Sequence, residues 1–330
     1  MLARSFRTHQ PAVLLLLLVI VPLLWSGAFG QAAPLYEQQA MLFYRPLAAL
    51  FDLVPWSRPV SGMVLCLGIA LQLNALADRA ELLERRSNLP ALLFPLLLCI
   101  GPEKVDVGPA LFGMPLVLFA LDRTWRVQER QRVQGVLFDS GLAIGAAGLF
   151  YLPYVFLLVV VWASTSVMRP FSWREYVLPA VGVVLVLYFD AALHFLFDLG
   201  SWTPARTVVA PVLTVGPVRT VPWRWIGPAL MLVLFVPALL SFYRAYKRSV
   251  MREKNLRSAF LAFVLAALVI AVFGWLLNGN VPSVLIAAPL ALFLAFPLTA
   301  APRWIAEVMA YGLLAAALVA QWGGTATFAA

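Results

Sequence analysis

Charge is scarce in this chain. Asp, Glu, Lys and Arg make up 12% of its 330 residues, against about a quarter in a soluble domain. No hydrophilic stretch is long enough to fold separately, so we read one integral membrane domain over residues 1–330, although length alone suggests two domains. Histidine is scarcer still, with only His9 and His194. That excludes a multi-histidine di-iron or oxygenase centre, whose ligands are absent. The two cysteines, Cys66 and Cys99, lie inside apolar runs with no CxxC spacing and no histidine neighbours, which reads as buried free thiols rather than a disulfide or metal site. There is no P-loop, no GxGxxG opening a helix, no HExxH and no GxSxG. No internal repeat or paired broken helices of the transporter kind appear. No metal and no cofactor is expected.

What remains is apolar. The chain is 63% hydrophobic and its mean hydropathy is +0.90. Apolar runs fall at about 12–29, 59–77, 89–101, 109–122, 135–150, 153–167, 176–197, 226–243, 259–277, 283–300 and 305–321. A helix needs about 20 apolar residues to cross a bilayer. The expected fold is all-α: a polytopic transmembrane helix bundle of about 11 spans, range 10–12. The short 89–101 and 109–122 runs form either a re-entrant hairpin or two tilted helices, with Pro90 and Pro95 bending the first. The first run, Pro11 to Phe29, reads as an uncleaved span; the small residues from Ala28 to Ala33 leave signal-peptide cleavage as the alternative.

The basic residues give the orientation. Of 24 Lys and Arg, 18 lie in alternate connecting segments: Arg4 and Arg7; Arg79, Arg85 and Arg86; Arg123, Arg126, Arg130 and Arg132; Arg169 and Arg174; the six from Arg244 to Arg257; and Arg303. The intervening segments hold only Arg45, Arg58, Lys104, Arg206, Arg219 and Arg224. Positive charge stays on the cytoplasmic side of short loops. The N-terminus is therefore expected inside and the C-terminus outside, in a bacterial inner membrane. The net charge of +9 suits anionic lipid headgroups, not nucleic acid.

Two outer segments, about 30–58 and 198–225, are longer than a turn. The first contains YEQQAMLFYRPLAALFDLVPW, whose helical spacing and aromatics predict one or two short interfacial helices. The second, with Pro204, Pro211, Pro217 and Pro222, predicts an extended ordered loop. The outer segments also collect candidate catalytic carboxylates, Glu37, Asp52, Glu103 and Asp106, beside cations Lys104, Arg206, Arg219 and Arg224. A carboxylate there could take a proton from a hydroxyl, and Arg could hold a lipid phosphate. Equally, loops are where charges collect.

Three features lie within spans. Asp139 sits one turn inside its inner boundary, where it either pairs with an inner Arg or serves function. Asp190, His194 and Asp198 are spaced at i, i+4 and i+8, on one helix face. A proton relay or a weak metal site would use that pattern. Gly145 and Gly148, with Ala146 and Ala147, form a small-residue packing face.

Three stretches carry a resemblance: SNLPALLFPLLL from Ser87, VLFDSGLAIGAAGLFYLPYVF from Val136, and RPFSWREYVLPAVG from Arg169. They resemble an integral-membrane family of Bacteroidota with no established activity. The region also looks like the central module of the GT-C glycosyltransferases. In that module a Pro-led short span precedes an acidic outer turn, here GPEKVDVGP. A second short span, a basic inner loop and a Gly-rich span ending in an aromatic-Pro turn follow. The resemblance implies a polyprenyl-phosphate sugar donor and an acceptor at the outer face, with Glu37 matching the acidic residue of the first outer loop and Asp52 second. Two other classes remain: a non-catalytic component of a cell-envelope assembly, and a lipid or small-anion transporter. The near-absence of polar residues deep in the spans counts against the transporter.

Overall fold

The computed structural model describes residues 2–8, 10–30, 41, 43–54, 56–101, 107–127, 133–198, 223–278 and 281–322. Among them there is no strand. A short α1 (Leu2–Phe6) precedes α2 (Leu17–Trp25), which is extended at both ends by 3-10 turns (Pro11–Leu16 and Ser26–Gly30). Then follow α3 (Arg45–Leu53), α4 (Ser57–Arg79), α5 (Leu89–Ile100), α6 (Pro109–Trp125) and α7 (Gln134–Gly148). A 3-10 turn (Leu152–Leu157) leads into α8 (Leu158–Met168), and α9 spans Trp173–Leu196. The last four are α10 (Trp223–Arg248), α11 (Met251–Asn278), α12 (Ser283–Ala300) and α13 (Arg303–Trp322).

Every apolar run is helical, so the chain is an all-α helix bundle. Seven described helices are long and apolar enough to cross a membrane. The other four runs, on α5, α6, α7 and the Leu152–Met168 segment, are shorter. The physical reason is enclosure: all 12 residues of α5 are buried, so its neighbours rather than lipid supply its surroundings. Helix α5 runs between the two ends of the bundle. At one end Asn88 bonds Phe6 and Gln10, and at the other the Cys99 carbonyl accepts from Gln321 Nε2 at 3.2 Å. Helix α6 then runs back.

The helix ends sort into two sets. One contains residues 3–10, 79–88, 122–126, 245–257 and 298–307, tied by direct bonds. The amides of Ala3 and Arg4 donate to the Glu307 carboxylate at 3.2 and 2.8 Å. Arg7 caps α12 by donating to the carbonyls of Leu298 (2.8 Å) and Ala301 (2.6 Å). Fully buried Arg257 donates to Ala245 O at 2.6 Å and Leu82 O at 3.4 Å, with its guanidinium over Phe296. These segments belong to the inner set given by the charge pattern. The other set joins Trp25, Gly62 and Val107, and also Gly101 with Ser283. The first described residues thus lie at the basic end and Gln321 at the opposite one.

Helices α7 and α9 run parallel and touch through glycine. A Cβ on Gly141 would lie 2.1 Å from Pro179 O, and one on Gly145 would lie 2.9 Å from Val186 Cβ. The small-residue face is therefore a packing face, but its central contacts are Gly141, Gly145 and Gly182; Gly148 turns instead toward Val155.

Helix length makes the second end uneven. At 1.5 Å per residue, α5, α6, α7 and α12 are about 18–27 Å long, whereas α9, α10 and α11 are about 36–42 Å. The basic ends are level, because Phe242 of α10 packs on Phe260 of α11 and on Phe293 and Phe296 of α12. Counting residues above the shared contacts, α9 passes the end of α7, and α10 and α11 pass the end of α12, by about 10 Å. The end opposite the basic loops is therefore a step: low over the short helices, high along α4, α9, α10 and α11.

Candidate functional site

The low floor of that step is aromatic and tightly tied. On α3 and the residue before it, Tyr44, Ala48 and Phe51 recur at i, i+4 and i+7 and are buried, while Leu50 and Leu53 are exposed. This is the short amphipathic helix expected in the first outer segment. The Tyr44 hydroxyl donates to Val107 O at 2.7 Å. Phe43 donates its amide to Leu149 O at 3.4 Å. The ring of Phe112 on α6 meets Tyr44, Phe51 and Phe150. Tyr154 donates its hydroxyl to Ala110 O at 2.7 Å. The buried guanidinium of Arg58 lies over Phe51, 5.9 Å from its centroid. Three chain segments separated in sequence thus meet here: α3, the turn into α6, and the α7–α8 turn.

Glu37, Glu103, Lys104, Asp106, Arg206 and Arg219 lie outside the described residues, as does the loop predicted over 198–225 apart from its ends. Asp52 falls on α3. Arg224 falls in the first turn of α10, which starts at Trp223. The Tyr44–Val107 bond brings together the flank of the Glu37 segment and the flank of the 102–106 turn. Sequence reasoning placed Tyr44 and Arg58 at this end but missed their contacts; the interleaved aromatics from Tyr36 to Trp56 were the available signal.

Asp190 and His194 are buried on α9 at 1% and 6% exposure. His194 Nδ1 lies 2.9 Å from the Asp190 carbonyl oxygen and 3.6 Å from Oδ1. Asp198 does not join them. The helix stops at Leu196, and Asp198 is exposed with φ 48°. Among the described residues no group of three or more potential metal ligands exists.

At the basic end of α6 Asp122 is a paired acid. Helix α6 continues to Trp125, so Asp122 and Arg126 stand four apart and form an ion pair. Arg79, at the end of α4, adds a contact at 3.4 Å. Asp139 is half-buried and makes no ion pair among the described residues. Asp122 Oδ1 is buried without a hydrogen-bond partner. Arg79 is 57% exposed and Arg126 33%, so solvent screens much of the attraction. Asp122→Asn should therefore cost about 1–2 kcal/mol, seen as a lower melting temperature in detergent. An unchanged melting point would remove Asp122 from the stabilising contacts.

The family model for DUF6427 matches residues 48–322 and is described as a family of unknown function. The chain belongs to the DUF6427 family. The match runs through all three stretches quoted above and beyond them at both ends. No curated protein and no solved structure matches the chain. The membership carries no activity.

Proposed function

We propose that this DUF6427 protein is a multi-pass inner-membrane glycosyltransferase of the GT-C kind, working at the stepped end. It takes a sugar from a polyprenyl-phosphate donor and passes it to a hydroxyl acceptor. The observation that supports this is the Tyr44–Val107 bond at the low floor. It places the attachment of the Glu37 segment beside that of the Glu103–Asp106 turn, at an end where long helices rise beside short ones. In this scheme Glu37 takes the acceptor's proton or orients its hydroxyl. Arg206, Arg219 or Arg224, with Lys104, hold the lipid phosphate by charge-assisted contacts. Asp52, Glu103 and Asp106 complete the acidic set. Membranes containing the protein should consume labelled polyprenyl-phosphate sugars faster than membranes lacking it. Equal consumption across the panel, with the protein folded, would instead favour a non-catalytic component of an envelope assembly.

The orientation follows from the basic loops, which keep that end cytoplasmic and put the stepped end in the periplasm. Native Cys66 and Cys99 are buried, so introduced cysteines can be probed against little background. Ala210→Cys and Thr325→Cys should react in intact cells with a membrane-impermeant thiol reagent, and Asn255→Cys should not. Labelling at 255 would overturn the orientation.

A further inference from the structure

We propose that His194 is the proton acceptor for the incoming hydroxyl and that Asp190 is its positioning residue; this rests on glycosyl transfer at the stepped end. The buried stripe of α9 runs through Pro179, Gly182 and Val183 to Asp190 and His194, while Tyr188, Phe189 and Phe195 are exposed. As far as Val186 the stripe lies against α7. Helix α7 ends at Gly148, so Asp190 and His194 continue the same face about one and two turns higher, above the 149–151 turn. An ionisable pair within a span is costly and is kept where it serves a function.

The geometry fixes the tautomer. A carbonyl oxygen only accepts, so the 2.9 Å contact to Asp190 O places a proton on Nδ1, and in the ring that carries no second proton the lone pair is on Nε2. Asp190 Oδ1, at 3.6 Å, stabilises the imidazolium formed when Nε2 gains a proton. A base with a carboxylate behind it is the arrangement that activates a hydroxyl. Of the ionisable groups on elements packed against α9, Asp139 lies far down α7, Arg169 pairs with Glu175 at the basic end, and Tyr151 and Tyr154 lie in the α7–α8 turn. Among the described residues His194 is the sole imidazole. The acceptor's O–H proton passes to Nε2 as its oxygen bonds the anomeric carbon. The anomeric carbon–oxygen bond to phosphate breaks, and its electron pair leaves with polyprenyl phosphate. The imidazolium then returns its proton to water.

The test uses membranes of the full chain and one polyprenyl-phosphate sugar that the wild type consumes. His194→Gln should lower kcat by about 10²–10³ with donor KM within about twofold, and Asp190→Asn should lower kcat by about tenfold, again without raising KM. Should His194→Gln fail to fold, the wild-type fold itself supplies the second arm. Diethyl pyrocarbonate acylates a neutral imidazole, and with His9→Gln only one histidine remains. Acylation of His194, followed by peptide mass, should proceed in step with lost activity. Retained kcat in folded His194→Gln, stoichiometric acylation with activity intact, or a His194 inert until unfolding would overturn the assignment and leave the proposed function standing. A wild type that consumes no donor overturns the proposed function itself, before any variant is made.

Discussion

Glu37→Gln is expected to reduce sugar transfer by about 10²–10⁴ while leaving protein abundance unchanged. The substitution keeps size and one carbonyl oxygen but removes the negative charge. An amide neither takes a proton nor holds an attacking hydroxyl as strongly as a carboxylate does. Glu37 lies outside the described residues, so its expected role comes from two facts. It sits with Asp52 in the first long connecting segment, and Tyr44 on the described flank of that segment is tied to Val107. Donor consumption by membranes with matched amounts of protein is the measurement. Wild-type turnover by Glu37→Gln would remove Glu37 and shift attention to Asp52, Glu103 and Asp106. His194→Gln separates the roles further. If His194 accepts the proton and Glu37 orients the hydroxyl, the double variant should be scarcely slower than the worse single one, because residues acting as one unit are not additive.

The helices were legible because apolar runs of this length have few alternatives to helix in a bilayer. The two-sided sorting of ends was legible from Lys and Arg alone. Their placement is a statement about which connections share a side, and bonds such as Arg7 to Leu298 and Arg257 to Leu82 and Ala245 join just those connections. The lengths of the individual helices were not legible. Composition records that α5 is apolar but not that other helices enclose it on every side, and enclosure frees a helix from spanning 30 Å by itself. The site was only partly legible. Asp190 and His194 announced themselves by spacing, yet the end of the helix at Leu196, which drops Asp198 from the face, did not. Asp122 was hidden at the margin of a run that looked three residues shorter than α6 is. Tyr44 acts through a long-range contact, to Val107, that no local pattern encodes.

Gly141→Val should be the most damaging packing substitution in the chain. A Cβ at Gly141 would lie 2.1 Å from Pro179 O and 2.6 Å from Pro179 Cα. Both are backbone atoms, so no side-chain rotation relieves the clash and α9 must move away from α7. The contact is reciprocal, since a Cβ at Gly182 would meet Leu142 N at 2.8 Å and Phe138 O at 2.9 Å. In a bilayer such close approach is much of what holds helices together, because lipid tails are as apolar as the side chains. Overpacking a tight core typically costs about 1–3 kcal/mol and occasionally more; a rigid backbone contact belongs at the upper end. The paired control is Gly68→Ala, where nothing lies within 4 Å of the added carbon. Alanine there should be neutral or stabilise by about 0.5–1 kcal/mol, since glycine weakens a helix interior. Melting of both purified variants in detergent decides the point, and equal melting temperatures would contradict the glycine contact. Because Asp190 and His194 ride on the same helix, a folded Gly141→Ala protein should also lose transfer activity out of proportion to its loss of stability. A shift of α9 on the order of 1 Å is enough to misplace a catalytic group.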